Sequence, residues 1–121
     1  MKGTLDRIAE WGGDPGAAMD RMLGDRAMYR RLLHMLLTEL KEEELTMLVA
    51  EKRFHDAFVI AHRMKGSSAD LGLTPLFEAL SAVTEDLRDA ENIRETLSYD
   101  LEQVEVKKTE LERILLPREA Q

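Results

Sequence analysis

The chain has 121 residues, no cysteine, a net charge of −7 and 44% hydrophobic residues, only six of which are aromatic. That length points to one compact domain spanning 1–121, with a core from about 14 to 116. Disulfides and thiolate chemistry are excluded, and the acidic balance works against nucleic acid, whose phosphates call for clustered Lys and Arg. Many Leu and Met residues with few aromatics favour an all-α class. No apolar run approaches the ~18 residues that span a bilayer, and "MKGTLDRIAEW" carries acidic residues where a signal peptide would be apolar, so a cytoplasmic protein away from membranes is expected.

Along the chain, "GGDPGAAMDRML" sets a short N-terminal segment apart. Asp14 reads as an N-cap and Pro15 as the first residue of a short helix reaching Leu23, with Gly24 as its stop. Asp25 caps a longer helix through Met28, Leu32, Met35, Leu36 and Leu40, and Leu45 and Leu48 continue the same stripe. Glu42, Glu43 and Glu44 read as its solvated face. Glu51 to Arg53 form the next turn. A helix from there stops at Gly72, and Thr74 with Pro75 opens another that aligns Leu76, Leu80, Val83 and Leu87. The last helix carries Ile93, Leu97, Leu101, Val104, Leu111 and Leu115 on one seam, interrupted by Lys108, and ends by Pro117. Four substantial amphipathic helices and a short leading one describe an antiparallel up-and-down four-helix bundle.

The segment "FVIAHRMKGSSADLG", Phe58 to Gly72, departs from ordinary helix packing. Ala57, Ala61, Met64, Ser68 and Leu71 share one face at ~100° per residue, and His62 lies just off it. His62, Lys65 and Gly66 are neighbours at helical spacing, with Phe58, Val59 and Ala69 around them and His55 two turns back. An exposed imidazole is mostly neutral near pH 7, so one ring nitrogen is a free nucleophile. Phosphorylated, it becomes dianionic, and a lysine one turn on can offset that charge. A mid-helix glycine costs ~1 kcal/mol relative to alanine, so Gly66 asks for a reason, such as access for a partner's backbone. Phe58 and Val59 would supply an apolar rim for docking. Taken singly, each residue also has an ordinary reading: a solvated His and Lys, a core Phe, and small residues ending a helix.

Taken together, "AHRMKGSSADLG" resembles the phosphoacceptor motif of histidine-containing phosphotransfer (HPt) domains, which runs Ala-His-x-Leu-Lys-Gly, a few small residues, then Leu-Gly. Ala61, His62, Lys65, Gly66, Ser68, Leu71 and Gly72 match, with Met64 in place of Leu. Upstream, "MLGDRAMYRRLLHMLLTEL" is similar to the family's Gly-Asp, Tyr and Leu-Leu segment. Downstream, "TPLFEALSAVTEDLR" looks like the helix beside the phosphohistidine.

The resemblance implies that His62 accepts the phosphoryl group on its outward ring nitrogen, with Lys65 supporting it and Gly66 giving a partner access. Ser68 belongs to the motif's run of small residues. On the adjoining helix the family often has a Gln or a basic residue, and the corresponding positions here are Thr84, where the Gln is missing, and Arg88. Partners would be receiver domains and a sensor histidine kinase, docking around Phe58, Val59, Ala69 and His55. The chain would act as a monomeric phosphocarrier, not an enzyme, binding no cofactor of its own, with the Mg²⁺ for transfer held by the receiver.

Other motifs give nothing further. His34 reads as structural or surface. His55 and His62 lie ~10 Å apart along one helix axis and cannot converge on a metal. "MKGSS" reverses the Gly-Lys order of a phosphate-binding loop. Two rivals to the carrier remain: a helical adaptor that docks through the same patch without being phosphorylated, and a dimer that uses the C-terminal seam as a coiled coil.

Overall fold

A computed structural model describes residues 3–115, and these residues form seven helices with no strand among them. They are α1 (Thr4–Trp11), α2 (Pro15–Arg21), α3 (Arg26–Glu39), α4 (Glu42–Ala50), α5 (Phe54–Asp70), α6 (Thr74–Leu87) and α7 (Leu97–Leu115). The expected all-α class is observed. The expected end of the last helix at Pro117 lies outside the described residues. Among the described residues, no helix is long and apolar enough to cross a membrane.

Several boundaries follow from local chemistry visible in the sequence. Asp14 Oδ1 accepts from the Ala17 N–H at 3.1 Å and Asp25 Oδ1 from the Met28 N–H at 3.0 Å, so each carboxylate satisfies an orphan donor of the helix it starts. Glu51 to Arg53 form the turn between α4 and α5, with Lys52 in the left-handed region at φ 62°. The helix before Gly72 ends as expected, with Gly72 at φ 69°. The next helix starts one residue earlier than expected, with Leu73 as N-cap and Pro75 inside the first turn.

Four expectations need correction. The N-terminal segment holds a helix, α1, which docks on α7: Trp11 Nε1 donates to Glu110 Oε1 at 2.9 Å, and Ile8 is fully buried. The stripe from Met28 to Leu48 is two helices, because Leu40 adopts an extended backbone, ψ 129°, and breaks the ladder before Glu42. Glu42 is not on a solvated face. It is buried at the first turn of α4, where it accepts from Lys108 of α7, while Glu43 and Glu44 are exposed. Burial works against the charge on Lys108, but Glu42, with Glu112 and Glu105, outweighs it and holds the ammonium above the usual lysine range. Ile93 precedes α7 and packs from the connecting segment.

α5 packs most closely on α6, α6 on α7, and α4 on α5, while α3 and α4 also reach α7. Leu33, Leu45, Ala61, Leu76, Leu80, Val83 and Leu111 are among the buried residues at the centre. Val104, Leu111 and Leu115, expected on the α7 seam, are buried within the chain's own core, which removes the seam a coiled-coil dimer would need. Tyr29 ties α3 to the end of α5 by donating to the Leu71 carbonyl at 2.7 Å. Its pKa is pushed up to about 12, first by burial and then by Asp14, so the phenol stays a donor.

Asp86 of α6 is a buried acid that the sequence did not single out. Only 3% exposed, it accepts from Thr96 Oγ1 at 2.8 Å through Oδ1, while Oδ2 has no donor. Burial first, and then the neighbouring Asp100 carboxyl, raise its pKa to about 6. The folded state therefore binds this proton more tightly than the unfolded chain, and the associated stability is lost as pH rises from about 4 to about 6. Asp86→Asn, which supplies a donor in place of Oδ2, is expected to be more stable than the parent by about 1 kcal/mol at pH 7.5. Urea unfolding should show that gain disappearing near pH 4. A gain independent of pH would contradict the assignment.

Candidate functional site

α5 continues unbroken through Gly66, Ser67 and Ser68 to Asp70, so the small residues do not end the helix. Ala57, Ala61, Met64 and Ser68 form its buried face, as the spacing predicts, and His62 is exposed beside it. Among the described residues neither nitrogen of the His62 ring has a hydrogen-bond partner. The ring instead stacks on Phe58, one turn back, with centroids 6.0 Å apart and planes inclined by 13°.

Two cations from different helices lie over aromatic rings of this region. Arg88, at the end of α6, places its guanidinium 5.5 Å from the Phe58 ring centre, and Lys65 places its ammonium 5.9 Å from the ring of Phe77 on α6. Phe58 thus touches both a cation and the imidazole and is only half exposed, so its ring helps to orient His62. Val59 and His55 are exposed on the same helix.

Gly66 leaves space above the helix. An alanine methyl there would meet nothing within 4 Å, so no packing inside the chain requires a glycine. The expected reason, a close approach of another backbone, is not met by any described element. What remains is a gap in the side-chain layer one turn from His62, open to solvent.

Ser68 and Thr84, expected in support, and Ala69, expected in docking, each have a partner within the fold. Ser68 is fully buried and donates to the Met64 carbonyl at 2.9 Å, and Thr84 is fully buried and donates to the Leu80 carbonyl at 2.7 Å. Both hydroxyls turn back onto their own helices, as short hydroxylated side chains do, and neither is presented beside the His62 ring. Ala69 lies near the C-terminal end of α5. Its carbonyl and that of Asp70 accept from Arg21 Nη1 at 3.3 and 2.7 Å, an arginine cap that ties α2 to α5.

Glu85 is the residue of this region that the sequence reading missed. Its carboxylate takes Arg88 in a fork, Nη2 at 2.6 Å and Nε at 3.2 Å to both oxygens. The hydrogen bonds from Arg88 chiefly hold Glu85 below the usual carboxylate range, with the charges of Arg88, Arg94 and Lys65 adding to them. Glu85 in turn raises Arg88. The (i, i+3) spacing of Glu85 and Arg88 was the signal available in the sequence. An acidic residue, two cations and a stacked imidazole therefore share one exposed surface of α5 and α6. The chain matches no protein-family model, no curated protein and no solved structure.

Proposed function

We propose that the chain is a histidine phosphotransfer carrier of a phosphorelay, with His62 as the phosphoacceptor. In this reading α3 with α4, α5, α6 and α7 make up an antiparallel up-and-down four-helix bundle, with α1 and α2 as leading helices. The observation that carries it is the pairing of an exposed, ring-stacked His62 with the open gap at Gly66 one turn along. A packed helix loses stability at such a gap, and a partner that has to bring a phosphoryl group up to the imidazole gains access from it.

The outward ring nitrogen attacks the phosphorus of a receiver's aspartyl phosphate. The bond from phosphorus to the carboxylate oxygen breaks, the aspartate leaves as a carboxylate, and the ring's other nitrogen sheds its proton to solvent. The reverse sequence delivers the group to a second receiver. Lys65 and Arg88 supply positive charge near the dianion, and Mg²⁺ belongs to the receiver's carboxylates. The sensor kinase, the cytoplasmic location and the monomeric state are parts of the same proposal.

A second reading, the non-phosphorylated adaptor, is favoured by one feature. On the same patch around His62, Val59 is exposed and Phe58 half-exposed, an apolar rim that a partner can cover without any phosphoryl transfer. The two readings part in one experiment: transfer from a phosphorylated receiver, in Mg²⁺, to the parent, His62→Gln and Gly66→Ala proteins. An acid-labile, base-stable label is expected on the parent and is expected to be lost in His62→Gln. Gly66→Ala should accept at least tenfold more slowly while its fold gains about 0.5–1 kcal/mol, because the methyl meets nothing inside the chain and helix propensity improves. A parent that takes no label from several receivers while remaining helical would favour the adaptor.

A further inference from the structure

We infer that Glu85 is a displaceable counter-ion that holds Arg88 in reserve and gives it up to the phosphoryl group when His62 is modified. This rests on the proposed phosphoacceptor role of His62 and adds a control element to that site. Four observations support it. Arg88 lies over one face of the same Phe58 ring against which His62 stacks, so the guanidinium is already in the neighbourhood of the imidazole. Its donors are nevertheless turned toward Glu85. The pair is solvated, with side chains 56% and 45% exposed, and an exposed ion pair of this kind exchanges partners at little cost. Glu85 also feels, more weakly, the charges of Arg94 and of Lys65, the latter one turn from His62.

The chemistry favours exchange in one direction only. With a neutral imidazole the local anion is Glu85, and Arg88 stays paired with it. A phosphoryl dianion offers three acceptor oxygens and twice the charge, and guanidinium binds such a group in the same forked geometry that it uses for carboxylate. Phosphorylation would then move Arg88 from Glu85 to the phosphoryl group, and loss of the group would restore the resting pair. Glu85 weakens the site's hold on the phosphoryl group, as suits a carrier that has to pass its load on.

The test needs no protein partner. The full chain is phosphorylated chemically with phosphoramidate: the imidazole nitrogen attacks phosphorus, the phosphorus–nitrogen bond breaks, ammonia leaves, and the ring proton passes to solvent. The His62 resonance in the ³¹P spectrum is assigned by its absence from His62→Gln, which separates it from signals of the two other histidines. Its shift is followed against pH in the parent, Glu85→Gln, Arg88→Gln and the double variant. Glu85→Gln is expected to lower the phosphoryl ionisation by about 0.3 units, because Arg88 is released to it, and Arg88→Gln is expected to raise it. In the Arg88→Gln background the effect of Glu85→Gln should shrink to less than half.

An unchanged ionisation in Glu85→Gln, an effect of equal size with and without Arg88, or no His62 resonance at all would each overturn the inference. The carrier reading is judged separately by offering the same phosphorylated chain to receivers in Mg²⁺. Failure of transfer there would sink that reading and leave the ³¹P result standing.

Discussion

Gly72→Ala is expected to cost about 3–4 kcal/mol, a large share of the stability of a domain this size. Two penalties add at this position. The backbone sits at φ 69°, in the left-handed region where a Cβ is strained, and an alanine methyl there would stand 2.1 Å from the Asp14 carbonyl oxygen. Backbone cannot give way as the end of a flexible side chain can, so the Asp14 N–H to Gly72 carbonyl bond, 2.7 Å, would have to open. That bond joins the start of α2 to the turn between α5 and α6, and its loss leaves the Arg21 cap to hold α2 on the end of α5. Gly24→Ala is the matched control: φ is 79°, but nothing lies within 4 Å, so only the conformational cost of about 1 kcal/mol should appear. Urea unfolding of the two variants separates strain from overlap. Equal losses would mean that the close approach contributes nothing.

Gly72 also illustrates what the sequence makes legible. As a helix stop it is readable, because a glycine after a periodic stretch is the cheapest way to end a helix. That the same residue touches Asp14 is invisible, since nothing in the order of residues says which backbone comes near. Asp14 and Asp25 were readable as caps for the same local reason, and the buried face of α5 from its spacing. The break between α3 and α4 was not. Leu40 and Lys41 carry no Gly or Pro signal, and the apolar stripe runs straight through them. α1 was passed over because it is short and depends on α7, to which Trp11 and Ile8 fasten it.

The site divides in the same way. His62, Lys65 and Gly66 are close in sequence, so helical spacing alone brings them together. Ser68 was legible as part of the buried face of α5, whereas the partner of the Thr84 hydroxyl was not, because a hydroxyl on a helix can face a ligand or its own (i−4) carbonyl with no difference in sequence, and burial decides. The arrangement of Arg88 over Phe58 depends on how α5 and α6 pack, which spacing within either helix does not encode. Glu85 escaped notice because its role exists only in relation to Arg88.

Glu42→Ala is expected to destabilise the fold by about 2–3 kcal/mol, although sequence pattern places Glu42 among solvated acids. Its side chain is 10% exposed and that of Lys108 18%, so deleting the carboxylate leaves a largely buried ammonium without its hydrogen-bond partner, with Glu105 and Glu112 acting on it through charge alone and little water to replace Glu42. Lys108→Ala is expected to do comparable harm, because Glu42 Oε2 is buried without a donor and Lys108 is the partner of its other oxygen. Desolvating two charges offsets much of what their attraction contributes, so the pair itself adds little net stability. The double replacement Glu42→Leu with Lys108→Met should therefore lie within about 1 kcal/mol of the parent, far from the sum of the single losses. A double-mutant cycle by urea unfolding reads this directly, and additive losses would show that the two side chains act separately. The cycle also bears on why α4 begins where it does. The charged pair fixes the first turn of α4 against one position of α7, which an apolar pair, having no directional bond, does not do. If that account holds, the double variant keeps its stability but loses hydrogen-exchange protection at Leu45, Thr46 and Met47, the amides next to the break.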